Sequence, residues 1–227
     1  MGANPYGPGG RGCHRHNCLA ISSPANILLA APVSGAMIAA MHSLLEQSAL
    51  RDQVIPLSVE AYHALGEMGF IEEKSELIHG FILAKMPKSP RHRTICQRLV
   101  DALRAAAGLE LSVWQEQPIT CHDSEPEPDV AVVRGTLADF AAKHPDTAAL
   151  VIEVSLSTLE RDLEKAAIYA GAGVEEYWII RPDENIADIY TLPGPDGYSA
   201  VRRVEMSGTL TPAVLPSVLI RLDELLA

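Results

Sequence analysis

The chain has 227 residues, 48% of them hydrophobic, and its formal net charge is -11 at pH 7. This length suffices for one domain with a substantial core. The acidic charge excludes non-specific coating of nucleic acid, which needs a basic surface, although it permits a nucleic-acid enzyme with a local basic patch and a bound metal. The four cysteines lack the spacing of a disulfide framework, so a reducing, cytoplasmic location is predicted.

The first 50 residues differ from the remainder of the chain. The opening stretch, MGANPYGPGGRG, is rich in glycine and proline and is typical of disorder. The apolar run at 27–41 is broken by polar residues, proline and glycine and is too short to span a membrane, although a signal peptide is an alternative interpretation. We therefore expect a disordered or non-core extension over residues 1–50, a folded domain over 51–227, and no membrane segment.

The predicted elements begin with a helix in PLSVEAYHALGEM, where Ser58 suits an N-cap. SELIHGFILAKM alternates around a turn at His79 and Gly80, which predicts a hairpin. SPRHRTICQRLVDALRAAAG has apolar residues at helical spacing and ends at Gly108, so it predicts an amphipathic helix. LSVWQEQPITC and EPDVAVVR predict the next two strands.

The second half of the chain alternates strands with one long helix. ALVIEV at 149–154 is a continuous apolar strand of the kind buried on both faces. Ser157 and Glu160 form a capping box for a helix that runs to about Ala170. EEYWIIRP is the next strand, IADIYTL and YSAVRRVE form a hairpin, and LDELLA is a short closing helix. This order predicts an α/β fold with a mixed β-sheet flanked by helices, in two or three layers.

Three carboxylates stand at strand positions that local structure does not explain: Glu76, Asp129 and Glu153. Three ionised acids in a dry site repel one another unless a cation neutralises them, and oxygen ligands suit a hard cation such as Mg²⁺. A lysine belongs to the same place by geometry. If the helix after Glu153 folds back along its strand, its rise returns Lys165 to the level of Glu153.

These residues form a pattern that resembles the PD-(D/E)XK nuclease superfamily. EPD at 127–129 is followed by VIEVS at 151–155, although Ser155 stands where the usual motif has lysine. The chain is more specifically similar to the Uma-type family of putative restriction endonucleases, in which the lysine has migrated to the helix. That resemblance spans about residue 56 to the C-terminus and is carried by IEVSLST, Asp162, Lys165, Tyr169 and GVEEYWII.

The resemblance implies a restriction-endonuclease-like core and hydrolysis of DNA phosphodiester bonds that depends on Mg²⁺ or Mn²⁺. It assigns the metal to Asp129 and Glu153, with Glu76 and the carbonyl of Val154 as further contacts. Cutting both strands of DNA commonly uses two sites, so a homodimer is also expected.

Two more side chains take catalytic roles in this pattern. Lys165 would orient the attacking water or neutralise charge on the phosphate, and His92 would contact a phosphate or assist proton transfer. A basic segment provides a surface for DNA, because six lysines or arginines and one aspartate between 85 and 104 give a local charge of +5. Four of these cations lie around the predicted helix N-terminus: Lys85, Lys88, Arg91 and Arg93.

Structural interpretations remain open for each residue. Asp129 alone suits a turn carboxylate, and Lys165 and His92 suit exposed helix positions. The functional alternative to an endonuclease is a catalytically degenerate member of the same fold that binds nucleic acid or protein without cutting. A non-nuclease metal hydrolase of α/β type is a third possibility without specific support.

Overall fold

The structure is a computed structural model, and it describes residues 46, 47, 49, 53–71 and 74–227. Its contacts divide the chain into two units, Met1–Val54 and Ile55–Ala227. Nearly all of the predicted N-terminal extension, including its apolar run, lies outside the described residues. The domain boundary after residue 50 therefore stays a prediction. Among the residues that the structure describes, none of the helices has the length and apolar character needed to cross a bilayer.

The described part of Ile55–Ala227 contains four α-helices, ten strands and one 3₁₀ turn. The helices are α1 (Val59–Glu67), α2 (Pro90–Ala106), α3 (Leu159–Gly171) and α4 (Leu222–Leu226), and the 3₁₀ turn is Leu137–Phe140. The strands are β1 (Ser75–Ile78), β2 (Phe81–Ala84), β3 (Leu111–Gln115), β4 (Val130–Arg134), β5 (Leu150–Val154), β6 (Glu176–Arg181), β7 (Ile186–Gly194), β8 (Gly197–Glu205), β9 (Thr209–Leu210) and β10 (Ile220–Arg221).

A six-stranded sheet in the order β3-β4-β5-β6-β7-β8 forms the centre of this unit. Its neighbouring strands are antiparallel except β5 and β6, which are parallel and are connected by α3. β1 and β2 form a separate hairpin, and β9 pairs with β10. The mixed sheet with flanking helices confirms the predicted α/β class, and both predicted hairpins are present. The short β9–β10 pair was not predicted.

Alternation along β5 directs its side chains to two separate apolar layers. Ile152 and Val154 belong to the cluster that contains the buried residues of α2 and α4. Val151 belongs to the opposite cluster, with Ile168 and Tyr169 of α3. The central sheet is therefore covered on both faces, and this explains why β5 is a continuous apolar strand.

The N-termini of the helices show which of the predicted capping residues are present in the structure. Ser58 caps α1 and Ser89 caps α2, each through a hydroxyl that accepts a backbone N–H from the first turn. The predicted capping box at Ser157 is wrong, because α3 begins one residue later and its N-cap, Thr158, makes no capping bond. The Thr158 hydroxyl instead donates to Asp162 Oδ2 at 2.6 Å, so a side-chain contact replaces the cap.

Packing of α2 on the sheet should make Leu99 a large contributor to stability. Its side chain is fully buried, so Leu99→Ala should lower the free energy of unfolding by about 2 to 5 kcal/mol through lost burial and a residual cavity. Leu109→Ala is the matched control, because Leu109 is 91% exposed and its truncation should change stability by less than about 0.5 kcal/mol. Urea unfolding followed by circular dichroism measures both, and equal losses would contradict the described packing.

Candidate active site

A cavity of about 130 Å³ lies where β5 ends, bordered by the β1–β2 hairpin, the start of α2 and one face of α3. The structure brings all of the predicted site residues to this cavity. They are Glu76, His92, Asp129, Glu153, Val154 and Lys165. Elements far apart in the sequence supply them, so the fold rather than a local motif assembles the site.

Two hydrogen bonds join Asp129 to the neighbouring residues Glu153 and Val154 at the end of β5. The Val154 N–H donates to Asp129 Oδ2 at 2.7 Å, and the Asp129 N–H donates to Glu153 Oε2 at 3.2 Å. The pairing of Val130 with Ile152 in the antiparallel β4–β5 ladder produces this arrangement, because it places the residues at the ends of both strands opposite each other. Both carboxylates are therefore fixed by the backbone of the neighbouring strand.

Lys165 connects Glu153 of the central sheet with Glu76 of the β1–β2 hairpin. Its Nζ donates to Glu153 Oε1 at 3.0 Å and to Glu76 Oε1 at 2.9 Å, and the lysine is only 3% exposed. Tyr169, one helical turn further along α3, donates its hydroxyl to Glu153 Oε1 at 3.2 Å. Glu76 also accepts the Glu127 N–H at 3.0 Å, which ties the β1–β2 hairpin to the segment before Asp129.

His92 lies between a carboxylate and a thiol. Its Nε2 is 2.9 Å from Asp129 Oδ2, and its Nδ1 is 3.5 Å from Cys96 Sγ. Within the described residues, these three side chains form the group whose ligand atoms are close enough to share a metal ion. However, the two imidazole nitrogens face different partners, and burial raises the pKa of the Cys96 thiol well above its usual value. The three side chains therefore form a hydrogen-bond chain that runs from Cys96 through His92 to Asp129 and orients the Asp129 carboxylate.

Opposite pKa shifts distinguish the two central acids. Burial favours the neutral form of Asp129, but the His92 hydrogen bond and the Lys88 charge outweigh it and hold the pKa of Asp129 well below its usual range. Burial raises the pKa of Glu153 well above its usual value. The Lys165 charge opposes this rise, and the acids Asp129, Asp162 and Glu76 add to it. Such divergence between neighbouring carboxylates is common where a site performs chemistry.

The Lys165 ammonium stays charged in spite of its burial. Burial lowers the pKa of Lys165, but the carboxylates of Glu153 and Glu76 outweigh that effect and hold the pKa above its ordinary value. The buried ammonium is therefore held by the carboxyl groups of two buried glutamates, and the loss of the lysine leaves these groups without their cation.

The donor atoms at Asp129 and Glu153 fit a hard divalent cation. Both supply carboxylate oxygens, which are the ligands that Mg²⁺ prefers. One oxygen of Asp129, Oδ1, is held by the side chain of Lys88, which is 25% exposed, and not by the backbone. Glu76 is linked to this pair through Lys165, and the three acids do not form a group within metal-ligand distance in the described residues. The arrangement therefore supports Asp129 and Glu153 as metal ligands more strongly than it supports Glu76.

The basic segment differs from the predicted open anion-binding surface. Lys85 pairs with Glu127, Lys88 pairs with Asp129 and with Glu116 at 3.1 Å, and Arg91 Nη1 pairs with Asp183 at 2.6 Å. Three of the four cations are therefore neutralised by acids of the same chain, because the fold brings the acidic segments next to them. The fourth, Arg93, is exposed on α2.

Several contributors to the site were missed from the sequence. Tyr169 was given no contact with the acids, whereas its hydroxyl donates to Glu153, and its position four residues after Lys165 was the available signal. Lys88 was assigned to DNA, and Cys96 had no assigned role. The contacts of Lys88 and Cys96 depend on tertiary packing, so no local pattern shows them.

Replacing Lys165 should destabilise the chain strongly. Lys165→Met leaves Glu76 and Glu153 buried without their cation, so the free energy of unfolding should fall by about 3 to 5 kcal/mol at pH 7. The loss should shrink as the pH falls, because protonation removes the unpaired negative charges. Lys143→Met is the control, since Lys143 is exposed. Urea unfolding in EDTA tests both variants, and a loss from Lys165→Met as small as that of the control would exclude the buried ion-pair network.

Comparisons with known proteins identify the family of the chain and a similar fold. The family model described as "Putative restriction endonuclease", Uma2, matches residues 59–223. The fold is similar to the crystal structure of a putative nuclease belonging to DUF820 from Anabaena variabilis ATCC 29413, with a TM-score of 0.61 and 18% identity over 71% of this chain and 96% of that chain. A comparison with curated proteins gave no match. The chain belongs to the Uma2 family of putative restriction endonucleases.

Proposed function

We propose that the protein is a divalent-metal-dependent endonuclease that hydrolyses phosphodiester bonds of DNA. The observation that carries this proposal is the buried contact of Lys165 with Glu153 and Glu76, beside the interlocked pair of Asp129 and Glu153. Burying four charged side chains around one cavity costs stability, and such sites are typical of catalysis or ion binding.

The metal would be Mg²⁺ or Mn²⁺, held by Asp129 and Glu153, with Glu76 and the carbonyl of Val154 as further contacts. When bound, such an ion lowers the pKa of a coordinated water and stabilises negative charge on a phosphate. The family match supports this assignment, and so do the two backbone-fixed carboxylates at the cavity.

The chain's own groups would perform the remaining tasks. Lys165 supplies an ammonium fixed by two carboxylates, which suits it to orient the attacking water or to neutralise charge on the phosphate. His92 donates to Asp129 from Nε2 and keeps that carboxylate oriented, while Tyr169 does the same for Glu153. His92 also lines the cavity, so contact with a phosphate or assistance in proton transfer is part of the proposal.

DNA is the proposed partner, and a cytoplasmic homodimer is the proposed form. Two copies of the site would cut both strands. Arg93 is exposed at the start of α2, where the helix dipole also favours an anion, and it provides one phosphate contact. The alternative is binding without cleavage, which is favoured by the net charge of -11 and by the ion pairs that occupy three other cations of the basic segment, Lys85, Lys88 and Arg91.

Cleavage of supercoiled plasmid DNA in Mg²⁺ or Mn²⁺ tests this proposal. Asp129→Asn and Glu153→Gln preserve side-chain shape and remove a ligand charge, so each should reduce nicking at least about 100-fold. Asp101→Asn is the matched control, because Asp101 is exposed on α2, and it should cut like the wild type. EDTA should abolish cleavage by the wild type.

Two outcomes would contradict the proposed endonuclease activity. Equal nicking by the wild type and the Asp129 variant would identify a contaminating nuclease. A wild type that shifts DNA in a gel but never cuts it, with either metal, would support the non-cleaving alternative. Circular dichroism of each variant shows that lost activity does not come from unfolding.

A further inference from the structure

Lys88 lies between two carboxylates at the mouth of the cavity. It is in the segment that joins β2 to α2, and its Nζ donates to Asp129 Oδ1 and pairs with Glu116 Oε1 at 3.1 Å. The lysine side chain is 25% exposed, while that of Asp129 is 6% exposed. Lys88 is therefore the more exposed member of this ion pair.

The two oxygens of Asp129 have partners of different kinds. Oδ2 accepts the Val154 N–H at 2.7 Å and faces His92 Nε2 at 2.9 Å, and both partners belong to the packed interior. Oδ1 is held by Lys88, whose long side chain has many rotamers. A cation that approaches Asp129 from the cavity therefore meets Lys88 at Oδ1.

Glu116 holds Lys88 from the other side. It follows the last residue of β3 and has a φ of +52°, a left-handed conformation that non-glycine residues seldom adopt. Its N–H donates to the Pro128 carbonyl at 3.2 Å, next to Asp129 in the chain. The end of β3 is thus fixed beside Asp129. The carboxylates of Glu116 and Asp129 therefore both contact the Lys88 ammonium.

Lys85 provides a natural comparison within the same cavity. It also lines the cavity and pairs with an acid, but its partner is Glu127. Its side chain is 19% exposed, close to the value for Lys88. The two lysines therefore carry equal charge and similar exposure, and they differ in which carboxylate they occupy.

We propose that Lys88 is an internal counterion that occupies Oδ1 of Asp129 and is displaced when a divalent cation binds. Lys88 and the cation compete for the same oxygen, since both are positive and both approach from the cavity. Displacement frees the Lys88 ammonium at the cavity mouth, where it can contact a phosphodiester. The inference rests on the proposed metal-dependent function. It adds that competition from Lys88 regulates the occupancy of the metal site.

Calorimetric titration of the metal-free full chain with Mn²⁺ tests the competition. Lys88→Met should bind Mn²⁺ about 10-fold more tightly than the wild type, because the competing charge in direct contact with the ligand is gone. Lys85→Met is the matched control and should remain within about threefold of the wild type, because Lys85 pairs with Glu127, which is not a proposed metal ligand. Equal tightening by both variants would show that only net charge matters and would overturn the proposal.

A second measurement needs no substitution at Lys88. In the wild type, Mn²⁺ should increase the rate of Lys88 acetylation by acetic anhydride severalfold, read by peptide mass spectrometry, while the Lys85 rate stays constant. In Asp129→Asn, Lys88 should already react quickly without metal, and Mn²⁺ should add nothing. An unchanged Lys88 rate in the wild type when Mn²⁺ is bound would exclude displacement.

The two proposals fail in different ways. Mn²⁺ binding in the expected pattern without any DNA cleavage would overturn the endonuclease and leave the counterion role standing. DNA cleavage together with equal Mn²⁺ affinity of the wild type, Lys88→Met and Lys85→Met would overturn the counterion role and leave the endonuclease standing. An absence of Mn²⁺ binding in all three, including Lys88→Met, would overturn both.

Discussion

The contact on which the site depends is the buried ammonium of Lys165 between Glu153 and Glu76. One ammonium compensates two acids that belong to different β-structures, the central sheet and the β1–β2 hairpin. Without it, the hairpin would bring one negative charge against another in a low-dielectric interior. Lys165 therefore stabilises the packing of the hairpin, α3 and the sheet against one another.

The mixed character of the sheet explains how that lysine reaches the acids. β5 and β6 are parallel, so the chain must return across the sheet through a crossover, and α3 is that crossover. A helix that folds back along β5 passes Glu153 again, and Lys165 and Tyr169 lie one turn apart on the face that passes it. Ser155, which follows β5 directly, does not supply the cation, and its N–H donates to the Ile180 carbonyl at 2.8 Å.

The sequence was sufficient for the elements and for the main acids, because both depend on local patterns. The apolar run that ends at Val154, with a glutamate inside it, predicted a buried strand with a functional end. The return of Lys165 followed from the rise per residue of strands and helices. The ion pairs of Lys88 could not be predicted, since they join segments about 30 to 40 residues apart through tertiary packing. The start of α3 was missed for the opposite reason, because a purely local cap signal at Ser157 was overruled by the Thr158–Asp162 contact.

The sequence separations of the Lys165 contacts carry a consequence for the order of folding. The pair with Glu153 closes a segment of 12 residues, whereas the pair with Glu76 closes one of 89 residues. Chain entropy disfavours the longer closure, so the strand–helix pair has the kinetic advantage and docking of the β1–β2 hairpin completes the cluster late. A partly folded chain thus holds the acid and lysine of one βαβ unit but not the full set of charges around the cavity. The hairpin acts as the last structural part of the site, although it lies near the start of the described chain.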